Sequence, residues 1–209
     1  FRPESLRRST GQSKGRKDNM LTIDQIEANK KLFLQLLTNT GRNTAPLQNY
    51  LTQESDFFTA PASTKYHEDY AGGLCQHSLR VADAIIPVYR IYECCYCTSV
   101  MPTSDIVFCA LLHDICKTNF YKVETRSVKN PETGEWEQKE YYTIDDQFPM
   151  GHGEKSVMIL QRYVRLSDEE IAGINWHMGS YDMRCKDWSG STAYAAAASK
   201  YPLVLALHT

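Results

Sequence analysis

The 209-residue chain has no run approaching the roughly 18 consecutive apolar residues of a membrane span, and no apolar core follows the arginines near its start. The sequence therefore predicts neither a transmembrane helix nor a secretory leader, and the expectation is a soluble, cytoplasmic protein without a membrane partner. A strong net charge is also missing: 23 basic residues meet 25 acidic ones, giving −2. That excludes whole-protein attraction to nucleic acid or to an anionic lipid surface. No glycine-rich phosphate loop occurs, and nothing calls for a Ser-His-Asp triad or an activated cysteine. The seven cysteines are an odd number, and the tightest group, Cys94-Cys95-Tyr96-Cys97, lacks the spacer and second ligand pair of a zinc site, so they read as reduced, mostly buried thiols. What is present is enough for a core, since 42% of residues are hydrophobic and 11% aromatic.

Residues 1–19 carry six basic side chains against Glu4 and Asp18, a net +4, with little apolar content, and are expected to form a flexible basic tail or a leader upstream of Met20. The rest, 20–209, reads as one domain of net charge −6. Apolar spacing predicts a helix from Asp24 to Gly41 with Thr22 or Asp24 as cap, and a second over Pro46 to Phe58. A third opens near Leu74, is kinked or broken at Pro87 and stops before Pro102, and a fourth is capped by Thr103 or Ser104 and ends around His113-Asp114. Tyr121–Val128 and Trp136–Ile144 flank the turn signal Asn130-Pro131-Glu132-Thr133-Gly134, which predicts a β-hairpin whose Tyr121, Trp136, Tyr141 and Tyr142 would form a lid or contact surface. Helical spacing returns over 153–163, over 168–177 with Ser167 as cap, and from Thr192 onward. The fold class is thus all-α with one inserted hairpin at about 121–144.

Six histidines raise the question of a site. Taken singly, each is more often a core or surface residue than a ligand, and a lone His-Asp dipeptide arises by chance. Imidazole and carboxylate together suit divalent ions, however, and His113-Asp114 at a helix end can direct two donors at one ion. Lys117, three residues on, falls near enough on a helical turn to place an ammonium beside a bound phosphate.

His77 in Gly73-Leu74-Cys75-Gln76-His77-Ser78-Leu79, then His113-Asp114 in Leu111-Leu112-His113-Asp114-Ile115-Cys116-Lys117, then His152 and His177, follow one another in an order that resembles the HD-domain superfamily of metal-dependent phosphohydrolases. The resemblance runs from about Gly72 to the end of the chain. It implies a helical bundle around a metal centre, with His77, His113 and Asp114 as ligands of one ion and His152 and His177 matching the histidines of members that hold a second. It further implies hydrolysis of a phosphate mono- or diester, commonly of a nucleotide, by a metal-held hydroxide, with Asp114 and Lys117 in the catalytic roles. One or two divalent ions among Mn, Fe, Ni, Zn and Mg are expected. The family pattern closes with a late aspartate, whereas no acidic residue follows Asp187, and the apolar run 203–207 lacks a helix stop, so a truncated C-terminus is expected.

Lys117, Lys155, Trp176 and Arg184 are the candidate substrate contacts, against which stand a solvated lysine for Lys155 and plain loop packing for Trp176, Tyr181, Asp182, Arg184 and Trp188, the readings favoured for each residue singly. Glu154 reads either as an acid orienting His152 or as a first-turn acid at a helix N-terminus. His67 reads as a surface histidine or one at the pocket rim, and His208 is expected beside the site or in the core. Two other functions stay open: trimming of RNA or DNA ends, which the −6 charge disfavours, and a non-catalytic nucleotide or metal sensor.

Overall fold

The computed structural model describes residues 20–96 and 101–208; the expected basic tail and Cys97 lie outside the described residues. The architecture is mostly helical. Among the described residues eight α-helices run in the order α1 (Ile23–Asn39), α2 (Ala45–Asn49), α3 (Gly73–Tyr96), α4 (Thr103–Leu112), α5 (His152–Leu160), α6 (Asp168–Asn175), α7 (Trp188–Lys200) and α8 (Pro202–His208), with one hairpin of β1 (Tyr121–Lys129) and β2 (Trp136–Ile144) between α4 and α5.

α4 is the centre of the molecule. Its sequence is apolar on every side, which a helix tolerates only when surrounded, and Ile106, Phe108, Cys109, Ala110, Leu111 and Leu112 are all buried. α1 and α3 pack on it, α8 lies on α3 and α6, and α5 lies on α6. Phe33, Phe57 and Phe58 form an aromatic cluster at one end, with ring centroids 4.8 to 5.6 Å apart. Arg42 lies 4.3 Å from the Phe108 ring and pairs with Asp105 and the buried Glu170, fixing the loop after α1 to α4 and α6.

The capping boxes Thr22/Gln25 and Ser167/Glu170 start α1 and α6 where the sequence places them. Other boundaries differ. α2 stops at Asn49 and gives way to a π-turn over 50–54, leaving Phe57 and Phe58 in a buried turn beyond any helix. α3 runs through Pro87 without a break: Pro87 is exposed, so the carbonyl that loses its helical donor faces water. The N-cap position of α4 is Pro102, with no side-chain cap from Thr103 or Ser104. The helix expected from Thr192 is two helices, because Pro202 cannot donate to the preceding turn and instead starts α8, while Asp187 caps α7 as early as Trp188.

The hairpin has the expected register, from Tyr121 opposite Ile144 to Lys129 opposite Trp136. Asn130 accepts from the amides of Glu132 and Thr133, and Gly134 takes φ +75°, which a side chain would oppose. Trp136, Val123 and Ile144 are exposed, so the strands project from the body, held at the base by Asp145 N–H donating to Phe120 O and Tyr121 O–H to Ala62 O. No helix among the described residues is long and apolar enough to cross a membrane.

Candidate metal centre

Four elements converge on one carboxylate. α3 supplies His77; the end of α4 and the 3-10 turn that follows supply His113, Asp114 and Lys117; the end of α6 supplies His177. Asp114 is 3% exposed. Its Oδ2 lies 3.5 Å from His77 Nε2, 3.4 Å from His113 Nε2 and 2.8 Å from the Lys117 ammonium, and its Oδ1 lies 3.3 Å from His177 Nε2. Donor atoms of His77, His113 and Asp114 all fall within 4.8 Å of one another. His113 and Asp114 are placed together by their adjacency at the helix end, and tertiary packing brings in the two other rings.

The rings are held in a defined tautomer. His113 Nδ1 lies 2.8 Å from Ala110 O, and His177 Nδ1 lies 2.7 Å from Ile174 O. A carbonyl only accepts, so both Nδ1 atoms carry the proton, and in the neutral ring the lone pair then points from Nε2 toward Asp114. Lone pairs facing a carboxylate are unfavourable unless a cation lies between them. His177 Nε2 and Asp114 Oδ1 are indeed both buried without a hydrogen-bond partner, which is rare for polar atoms. A donor set of imidazoles and one carboxylate suits a divalent transition ion.

Electrostatics agree with the geometry. Burial alone would raise the Asp114 carboxyl, but the Lys117 ammonium and His113 hold it well below the usual carboxylate range. Burial opposes the charge on Lys117, yet Asp114 outweighs it and raises its pKa. Burial pushes His77 down to about 3, more than Asp114 pulls it up. The folded, metal-free protein therefore keeps His77 neutral where the unfolded chain protonates it, so the unfolded state binds more protons below about pH 6.5. Its stability is expected to fall steadily as pH drops from about 6.5 toward 3, and urea titrations of the chelated protein across that range check this.

His152, the first residue of α5, is outside the tight donor group: its Nδ1 lies 3.5 Å from Cys116 Sγ and its ring meets the edge of Phe120. Burial lowers its pKa. α5 is nonetheless tied to the His-Asp turn by Ser156, whose Oγ donates to His113 O at 2.6 Å and accepts from Cys116 N–H at 3.2 Å, a link the sequence does not announce. Ser156→Ala leaves both backbone groups buried and unpaired; a loss of about 1–3 kcal/mol is expected, read as a lower midpoint in denaturant.

Of the expected substrate contacts Lys117 stands beside Asp114, and Lys155, Trp176 and Arg184 are engaged elsewhere. Lys155 is buried, not solvated; its ammonium pairs with Asp146 and lies 4.9 Å from the Phe120 ring. Arg184 donates to both oxygens of Asp182, to Glu154 and to Asn175, with its guanidinium 4.2 Å from the Trp176 ring, so the segment after His177 is clamped by its own arginine and Trp176 is covered. Glu154 takes Arg184 and does not orient His152. Tyr181 and Trp188 stay exposed. His208 packs against Gly179, where φ +52° and a close ring leave no room for a Cβ. Cys75, Cys109 and Cys116 are buried, with Cys75 and Cys116 pushed up to about 12 by burial, whereas Cys94 and Cys95 are exposed.

From the sequence His67 reads as a surface or pocket-rim residue, and Glu68 has no assigned role. His67, Glu68 and His77 form a second compact donor group, with Glu68 Oε2 3.7 Å from His77 Nδ1 and the His67 and His77 rings 4.9 Å apart. Nothing in the spacing of the sequence signals this, because Glu68 sits in an irregular loop nine residues before His77.

No protein-family model, no curated protein and no solved structure matches the chain.

Proposed function

We propose that this chain is a divalent-metal-dependent phosphohydrolase of the HD-domain type, acting on a phosphate mono- or diester of a nucleotide. The observation that carries the reading is the convergence of His77, His113 and His177 Nε2 on Asp114, with Asp114 Oδ1 and His177 Nε2 buried and lacking hydrogen-bond partners. A divalent ion held by these donors supplies a water of lowered pKa and positive charge for the phosphoryl oxygens. The chain's own residues do the rest. Asp114 sets the negative charge that holds the cation, and the backbone carbonyls of Ala110 and Ile174 fix the rings that share the load. Lys117 stands 2.8 Å from Asp114 Oδ2, close enough for its ammonium to turn to a phosphoryl oxygen as charge develops there. Exposed planes at Tyr181 and Trp188, in the segment after His177, offer a base a stacking surface and favour a nucleotide over a small inorganic ester.

The test is metal analysis of the purified full chain, joined to phosphate release from a panel of nucleotides and from a bis-aryl phosphodiester with added Mn2+. Bound transition metal and metal-dependent turnover are expected. Absence of both, with the protein folded, overturns the reading.

A further inference from the structure

Glu68 occupies a loop whose shape is costly to make. Its backbone has φ +40°, a region that non-glycine residues seldom enter, and its carbonyl accepts from Ala62 N–H at 3.0 Å. A Cβ on Gly73, the first residue of α3, would lie 2.1 Å from that same carbonyl, so the helix start and the loop close on each other only because Gly73 has no side chain. The loop therefore fixes where the Glu68 side chain leaves the backbone.

That side chain is only 8% exposed and spans two partners. One oxygen takes Arg80; the other faces His77 Nδ1 at 3.7 Å. His77 and Arg80 are three residues apart on α3 and so share a face of the helix. At His113 and His177 the group facing Nδ1 is a backbone carbonyl, and at His77 it is this carboxylate.

We propose that Glu68 is a positioning residue for His77: it keeps the proton on Nδ1 and turns the Nε2 lone pair toward Asp114, so that all three rings present the same face to a cation. The inference rests on the metal reading above and names what orients its third ring. An acceptor behind a ligating imidazole is the common arrangement at metal sites. Arg80 already neutralises Glu68, which suits the carboxylate to orientation and leaves it little charge for a separate cation beside His67. The strain at Glu68 is then offset by the site it serves.

Two measurements on the full chain test this. Titration of Mn2+ alone into wild type, Glu68→Ala and Glu68→Gln reads affinity without any substrate; a 10- to 100-fold weakening is expected for alanine, with recovery in glutamine, whose amide oxygen still accepts. Long-range proton–nitrogen correlation spectra of the metal-free protein read the ring directly: His77 carries its proton on Nδ1 in wild type and redistributes it in Glu68→Ala. Should the alanine variant not fold, the wild-type spectrum decides alone, since a proton on Nε2 overturns the role. Equal Mn2+ affinity in wild type and alanine variant overturns it as well. So does loss of one Mn2+ equivalent with the remaining affinity intact, which would make Glu68 a ligand of its own site. A wild type that takes up no Mn2+ overturns the phosphohydrolase reading itself, a result distinct from the others.

Discussion

Asp114→Ala is expected to abolish stoichiometric divalent metal and to lower phosphate release by about a thousandfold or more, corresponding to about 4 kcal/mol of lost transition-state stabilisation. The reason lies in how many groups lean on one carboxylate. Three imidazoles and an ammonium lie within 3.5 Å of its oxygens, and no second acid is in the tight donor group that holds His77 and His113. Removing it leaves the Lys117 ammonium, itself 9% exposed, without its partner, and uncompensated buried charge costs about 3–5 kcal/mol. The alanine variant should therefore be less stable even when free of metal. Asp114→Asn separates the two effects, because the amide oxygen still accepts from Lys117 while the negative charge is gone. Metal analysis, phosphate release and thermal unfolding of the three proteins should show alanine and asparagine equally inactive but asparagine closer to wild type in stability. An asparagine variant that keeps metal and turnover would mean the carboxylate's charge is not what binds the ion.

The second large effect comes from a residue with no side chain. Gly153→Ala would normally strengthen a helix by about 1 kcal/mol. Here a Cβ would lie 1.9 Å from Asn175 O and 2.5 Å from its carbonyl carbon, both backbone, so α5 and α6 must move apart. Overpacking of this kind costs about 3 kcal/mol, and for a chain of this size the melting temperature should fall by roughly 6–12 °C. The damage is also functional, since His152 precedes Gly153 and His177 follows Asn175 by two residues. Mn2+ affinity should drop together with stability. Gly134→Ala is the control: it has open space around it and φ +75° in the hairpin turn, so it should show only the modest strain of the turn and leave metal binding untouched. Calorimetry with Mn2+ titration of both variants checks the contrast.

What could be read from the sequence was local. The hairpin was legible because Asn130-Pro131-Glu132-Thr133-Gly134 fixes a turn between two β-branched and aromatic runs, and α6 because Ser167 offers a cap before helical spacing. His113-Asp114-Lys117 was legible for the same reason, as their positions on one turn decide their distances. The remainder depends on contacts that spacing cannot encode. Lys155 reads from the sequence as a phosphate contact or a solvated lysine, but the loop after β2 brings Asp146 to it, and Arg184 reads as a phosphate contact or loop packing, but Asp182, Glu154 and Asn175 surround it. Glu68 escaped notice because a left-handed backbone in a loop has no periodicity to betray it. His77 and the His113-Asp114 pair, which the sequence places far apart, share one compact donor group, and His152 is the ring that this group leaves out.

The hydrogen bonds from His113 to Ala110 O and from His177 to Ile174 O have a further meaning for the motions of the protein. Both carbonyls belong to the final turns of α4 and α6, and each also accepts from an imidazole, although Ile174 O takes the His177 backbone N–H as well. Ligand orientation and helix termination thus share two bonds. Fraying of either helix end would loosen the ring bonded to it, which couples the order of His113 and His177 to that of the helix ends. Amides at the ends of α4 and α6 should gain protection from hydrogen exchange together when a cation is added, while those of the projecting hairpin should exchange as before.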